Sequence, residues 1–480
     1  MSKPSKMPIV QAIEEYLSQK RQRQHMPGHK GQAQALGLYR HWGDLAAWDL
    51  TEAEGLDDLH APAGAIQEAA ALLAAAVGAQ KAHFLINGAS VGIMAAILAA
   101  TAHNPGCTIL LPRNAHRSVW NALALAGCRP VWLPVQQAAN HNLPLGITPQ
   151  QLQAACLAHP GSQAAFFVYP SFYGVCVDLP QMLAVCRAHG LISIVDEAHG
   201  AHLPFTNPHL AAGRLGANLV INSWHKSMGS LGQTAVLLQN GRPDLQPERW
   251  LTMLQTTSPS YPLLASLDAA RAEWTEQAAE RRKALQQERA AIAKALQQTP
   301  ILRLYTAADL PPEFSYEQTK ALLTSAAGHS GWQIAAALRR AGIEPEFADW
   351  RRALLLLSYA DTLLADALPR LLTALRQADK ILQQTPPRPV PDCFTEQPPL
   401  PEQVMLPAEA MRHPVRRVPL TQAAGLVAAG LLTPYPPGIP WLGPGELIAP
   451  GHIEAARALL QAGGKLQGLE QGLIPVLDFA

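Results

Sequence analysis

Between about residues 80 and 239 the chain alternates short apolar runs with helix-like stretches. The runs fall at 83–86, 108–111, 130–133, 164–169, 191–195, 219–222 and 234–238. Strands that are near-continuously apolar, rather than alternating with polar residues, belong to a mainly parallel sheet covered by helices on both faces. The pattern therefore predicts an α/β major domain over 76–265, preceded by an N-terminal segment, 1–75. Over 266–298 Glu and Arg recur at helical spacing without Pro or Gly, which predicts one long helix leading out of that domain. Beyond it, strands at 319–324 and 353–358 and helices at 331–340 and 361–382 describe a smaller α/β domain within 266–385. The remaining 386–480 opens with a Pro-rich stretch, 386–407, expected to be an extended linker. It also carries the turn-rich Thr433-Pro-Tyr-Pro-Pro-Gly-Ile-Pro440. No internal repeat is visible.

Charge narrows the function classes. Lys plus Arg number 37 against Asp plus Glu at 36, a net charge of +1, so no field of one sign exists to hold nucleic acid or a membrane surface. Charged residues make up only 15% of the 480, below the usual quarter or so, and extra buried surface of that kind predicts a homo-oligomer. No formal charge occurs between Lys81 and Arg113, but Asn87, Gly88, Ser90, Asn104 and Pro105 break that stretch into strand, turn, helix, turn and strand rather than a membrane span. Met1 to Gln24 is polar and charged, without a signal-like apolar stretch. The six cysteines, Cys107, Cys128, Cys156, Cys176, Cys186 and Cys393, form no C-x-x-C pair. Both features lead us to expect a cytoplasmic protein.

The chemistry sits where the apolar runs end. Asp196-Glu-Ala-His199 follows the run at 191–195, and Ser223-Trp-His-Lys226 follows the run at 219–222. In doubly wound sheets the carboxyl ends of strands line the ligand crevice, so a lysine, a histidine and an aspartate delivered from different strands can converge there. Asn87-Gly-Ala-Ser90 follows another strand and opens an apolar helix, which puts Ala89, Ser90 and free backbone N–H groups where a phosphate binds. Arg113-Asn-Ala-His116-Arg-Ser118 follows a fourth run. An amine, a carboxylate, a phosphate cradle and a flat ring, His116, are together what pyridoxal phosphate requires. Each piece alone has a plainer reading: a strand-end lysine in solvent, or a serine that only caps a helix.

In these residues the chain resembles the Orn/Lys/Arg decarboxylases, pyridoxal-phosphate enzymes of the aspartate-aminotransferase fold (fold type I). The resemblance also covers His25-Met-Pro-Gly-His-Lys-Gly31, Gly55-Leu-Asp-Asp-Leu-His60, Thr257-Ser-Pro-Ser-Tyr261 and Pro444-Gly-Glu446, almost the whole chain. It implies Lys226 as the Schiff-base lysine, Asp196 on the pyridine nitrogen, His116 stacked on the ring, and Ser90, Ser223 and His225 around the phosphate. His199 stands where some long-form relatives have Trp, and its contact with cofactor or substrate stays open. Thr257 and Ser258 match a segment that reaches the phosphate from a partner subunit, implying a homodimer or higher oligomer with shared sites. The receiver-like N-terminal domain of some members is absent, so a short form is expected.

The implied reaction is decarboxylation of a basic L-amino acid, arginine ahead of lysine or ornithine, giving a polyamine or its precursor. An unpaired cation in a dry pocket is costly, so acidic residues must meet the distal charge. Glu446, Asp57 and Asp58 are the candidates, with the alternative for Glu446 of a helix cap or an ion pair to a nearby Arg. An aminotransferase or C–S lyase on the same fold is the second reading. Asp-Glu-Ala-His also spells a helicase-type NTPase box, but no G-x-x-x-x-G-K-[ST] phosphate loop accompanies it. A metal site built from His116, His199 and His202 is set aside, because His at i and i+3 after a strand more often stacks or hydrogen-bonds.

Overall fold

The computed structural model describes residues 5–32, 37, 41–43, 45–138, 143–388, 398–435 and 438–479. All seven apolar runs of the major domain are strands, within two residues of the expected ends: β1 (Lys81–Leu85), β2 (Thr108–Pro112), β3 (Arg129–Leu133), β4 (Ala164–Val168), β5 (Ile192–Asp196), β6 (Leu219–Asn222) and β7 (Ala235–Gln239). The chain divides into two compact units, 1–100 with 193–281, and 101–192 with 282–480.

In the first unit the strand order is β1-β7-β6-β5. β7 runs antiparallel to both β1 and β6, whereas β6 and β5 are parallel. Consequently β1, β5 and β6 all end at the same edge, the edge where β7 begins. Two helices matter for that edge. Ala89–Thr101 follows β1 and packs tightly on the sheet: a Cβ on Gly92 would come within 2.6 Å of Leu85 Cδ1, so any larger residue there would have to push the buried Leu85 side chain aside. The expected helix over 266–298 is present as Tyr261–Gln297, 37 residues long. Its fully buried Trp274 donates from Nε1 to Met228 O at 3.1 Å, pinning the backbone just after Lys226. Trp224, also fully buried, anchors the same turn from within, and burying an aromatic of this size contributes about 2–3 kcal/mol.

In the second unit β4, β2 and β3 are parallel neighbours, β2 in the middle. A second sheet contains β8 (Leu302–Leu304), β9 (Lys320–Ser325), β10 (Phe347–Ala348) and β11 (Ala353–Leu356) in the order β8-β9-β11-β10, all antiparallel. Its core packs Leu302, Leu323 and Leu355 against Ile334, Leu338, Leu375 and Leu382 of the covering helices. The helix expected over 361–382 starts later, at Ala367–Gln383. Ser358 caps a separate short helix, Tyr359–Thr362, in a capping box with Asp361, which uses up the first helical residues before the chain turns again. Toward the C-terminus, β12 (Val415–Pro419) pairs with β13 (Leu473–Leu477), over a core that includes Leu432, Leu442, Ile448 and Val476. Within the Pro-rich 386–407, residues 389–397 lie outside the described residues, as do Cys393 and Pro436-Pro437.

Candidate active site

In the first unit one sheet edge collects most of the predicted residues. β5 delivers Asp196 as its last residue, and β6 ends at Asn222, directly before Ser223 and the short helix Trp224–Ser227 that carries His225 and Lys226. Lys226 Nζ lies 3.0 Å from His199 Nε2. Asp196 is buried; burial pushes its carboxyl above the usual range, while the Lys226 charge and an Ala198 N–H on Oδ1 at 3.1 Å pull it back toward ionisation. The arrangement is a buried carboxyl in the field of an amine, with an imidazole on that amine.

Two details fix this edge. His225 Nδ1 pairs with Thr234 O at 2.9 Å, fastening the lysine turn to the start of β7. Ser223 occupies the N-cap position of its helix without spending its side chain as a cap. At the end of β1, Gly88 adopts φ +81°, a left-handed turn suited to glycine, before Ala89 and Ser90 open the 13-residue helix with its N–H groups facing that edge.

Neighbouring loops are tied to the same place. Asn87 Oδ1 accepts from Thr256 N at 3.1 Å, and His60 Nε2 pairs with Thr256 O at 2.8 Å. The segment bearing Thr257 and Ser258, both exposed, is thus bound within its own chain to Asn87 and to the Gly55–His60 loop. Tyr261 OH donates to Asp57 O and reinforces the link.

The substrate-cation candidates fare differently. Asp57 is not placed to meet a ligand cation: Oδ1 accepts from Asp58 N and Ala63 N, and Oδ2 from Gly64 N, Ile66 N and Gln67 N, so both oxygens serve the loop and the start of the helix Ala65–Val77. Asp58 accepts from His60 N on Oδ1 at 2.8 Å. Glu446 lies in the second unit, wholly buried, and takes up the ion-pair alternative. Its Oε1 and Oε2 meet Arg113 Nη1 and Nη2 at 2.6 and 2.9 Å, and Gly443 N–H binds Oε2 at 2.7 Å. A wholly buried carboxylate whose charge is already met by a bidentate guanidinium and a backbone N–H serves the fold rather than a substrate cation. The Arg113 guanidinium also lies 5.2 and 5.0 Å from the ring centres of Trp120 and Trp132. In the same unit His116 caps the helix Arg117–Ala126, accepting from Ser118 N through Nδ1.

Sequence reading missed Glu197 and Asn222 as a bonded pair. Glu197 is wholly buried, its Oε1 accepting from Ala212 N at 2.7 Å and its Oε2 from Asn222 Nδ2 at 2.8 Å. Burial pushes its carboxyl up to about 8. The only signal in the sequence is their position, each at the end of a strand that bears a site residue.

Comparison with known proteins agrees with this geometry. Residues 7–305 match the Orn/Lys/Arg decarboxylase major domain, and 390–471 match the C-terminal domain of the same family. Arginine decarboxylases of Bacillus anthracis and Bacillus subtilis are each 32% identical to this chain, covering 98% of it and 96% and 97% of their own lengths. Among solved structures, the Escherichia coli constitutive lysine decarboxylase superposes with a TM-score of 0.81 at 19% identity, over 98% of this chain and 82% of that one. A Francisella novicida lysine decarboxylase gives 0.84 at 17% identity, over 98% and 81%. The chain belongs to the Orn/Lys/Arg decarboxylase family and has the aspartate-aminotransferase fold. It is an amino-acid decarboxylase of basic substrates, and the NTPase, aminotransferase and C–S lyase readings fall away.

The family implies pyridoxal phosphate, and the residues present fit it. The first unit supplies an amine, Lys226, a buried carboxylate within its field, Asp196, and a helix N-terminus after a glycine turn, all at one sheet edge.

Proposed function

We propose that this protein decarboxylates L-arginine to agmatine, with pyridoxal phosphate held by Lys226. The choice of arginine is supported by near full-length identity of 32% to two arginine decarboxylases. When bound, the cofactor supplies an electron sink for the pair left on Cα as CO2 departs. The remaining work falls to the chain. Lys226 would hold the cofactor, and its Nζ, 3.0 Å from His199 Nε2, belongs to a pair that can hold a proton for delivery to Cα. Asp196, whose charged form is favoured by the Lys226 charge and the Ala198 N–H against the effect of burial, would hold a proton on the ring nitrogen. Ser90, Ser223, His225 and the N–H groups at Ala89 and Ser90 bind the phosphate. His116 stacks on the ring, a role that rests on the resemblance.

Of the three acidic candidates for the guanidinium, Asp58 is left, since Asp57 and Glu446 are spent elsewhere. The active form is a homodimer in which Thr257 and Ser258 complete the partner's phosphate site. Its proposed location is cytoplasmic, a reading that rests on the sequence alone; no helix among the described residues is long and apolar enough to cross a membrane. The reading is tested by CO2 release and amine identification with arginine, lysine, ornithine and a neutral amino acid. Arginine should have the highest kcat/KM and give agmatine. Preference for lysine or ornithine would overturn the substrate, and transamination without CO2 would overturn the reaction.

A further inference from the structure

We infer that Glu197 and Asn222 are positioning residues of the active site: they lock the strand end that carries Asp196 to the strand end that carries Lys226. This deepens the proposed function and rests on the assignment of Asp196 and Lys226 as cofactor residues.

The geometry has three parts. β5 and β6 are parallel neighbours whose last register pair is Asp196 with Ile221, so the strands separate directly after Asp196 on one side and two residues before Ser223 on the other. Beyond that point the ladder makes one more bond, Glu197 N to Ile221 O at 2.9 Å. The rest of the link is made by side chains: Asn222 Nδ2 donates to Glu197 Oε2 at 2.8 Å and to Glu197 O at 3.2 Å. The other Glu197 oxygen takes Ala212 N at 2.7 Å, so the carboxyl is held on both sides and is wholly buried with Asn222.

Each partner is covalently next to a working residue, Glu197 to Asp196 and Asn222 to Ser223, three residues before Lys226. A glutamate that merely stabilised the sheet could sit anywhere along the strands. This one sits where the backbone ladder ends and the spacing between the carboxylate and the amine is still to be set. Reaction rates are sensitive to such spacing, since a displacement of about 1 Å costs on the order of 100-fold. The sequence box Asp-Glu-Ala-His thus combines one residue that faces the reaction with one that faces the protein.

The test uses the cofactor-loaded enzyme and the variants Glu197→Ala, Glu197→Gln and Asn222→Ala. The readouts are kcat, KM, the pH midpoint of the visible absorbance band of the bound cofactor, and thermal melting. Glu197→Ala and Asn222→Ala should each lower kcat by about 10- to 100-fold with KM changed less than about 3-fold, and should move the midpoint in the same direction. Glu197→Gln keeps one acceptor oxygen in place and should recover part of both losses. Should Glu197→Ala fail to fold, Asn222→Ala carries the test, because it removes the bridge and leaves the carboxyl on Ala212. A midpoint and a kcat unchanged per loaded site, with only melting lowered, would overturn the inference and make the pair purely structural. Failure of the underlying assignment looks different: wild type would then show no cofactor band, or Lys226→Ala would retain one indistinguishable from wild type.

Discussion

Removing the Glu446 carboxylate should cost several kcal/mol of stability and leave substrate choice alone. The Arg113 and Glu446 side chains are 9% and 0% exposed. Glu446→Ala deletes both arms of the bidentate pair and the acceptor of Gly443 N–H. The guanidinium is left buried, with the Trp441 carbonyl at 2.7 Å and the two indole rings for company. Breaking one side of a buried pair costs about 3–5 kcal/mol, because the remaining charge loses its partner but not its desolvation. Arg113→Met should cost a similar amount by stranding the carboxylate. The double variant Arg113→Met, Glu446→Met removes both charges, and its cost should fall below the sum of the singles by about 2 kcal/mol or more. Urea unfolding followed by fluorescence suits this cycle, since Trp120 and Trp132 flank the pair. Additivity within about 0.5 kcal/mol would refute the pair as an energetic unit. A large rise in the KM for arginine in Glu446→Gln, with stability intact, would restore Glu446 as the substrate's partner and refute the geometric argument.

Further outcomes follow from the first unit. Asp196→Asn should reduce kcat by orders of magnitude in a folded protein that still takes up cofactor, checked by absorbance and turnover; activity within a few-fold of wild type would move the electron-sink role elsewhere. Asp57→Ala should lower stability by about 1–2 kcal/mol, as loss of a cap does, while the arginine-to-lysine ratio of kcat/KM stays within a few-fold. For Glu197 the pH sign is set by its raised carboxyl: the folded state holds the proton that the unfolded state releases. Stability contributed by this group is therefore present at low pH and is lost as pH rises from the ordinary glutamate range toward about 8. Glu197→Gln should flatten the stability curve over that window by up to ~1.4 kcal/mol per pH unit. A variant curve parallel to wild type would show that the carboxyl titrates normally. Mixing Lys226→Ala with Ser258→Trp should regenerate partial activity if sites are shared between subunits, whereas full activity in a proven monomer would contradict the dimer.

The parts of the fold set by local pattern were legible. The mostly apolar strands could be placed to within two residues, because burial on both faces leaves short apolar runs bounded by turn residues, shorter than the apolar helix at 91–100. The shared placement of Lys226 and Asp196 was legible for a related reason, since a strand end identifies the edge to which a side chain is delivered. Glu446 shows where this stops. Its partner Arg113 is 333 residues away, and only the folded C-terminal region brings them together, so sequence alone could state the ion pair as one alternative but could not choose it. Asn222 is 25 residues from Glu197 and inside an apolar run, where its amide reads as an interruption rather than as a bridge. Asp57 had a local signal, a short acidic loop followed within ten residues by Gly64 and a helix, of the kind that makes a carboxylate serve backbone N–H groups.

The most direct test is borohydride reduction of the cofactor-loaded enzyme, followed by peptide mapping by mass spectrometry. The account predicts a pyridoxyl-phosphate adduct on the peptide containing Lys226, near one per chain, and none in Lys226→Ala. An adduct confined to another lysine, or retained on the chain in Lys226→Ala, would contradict it.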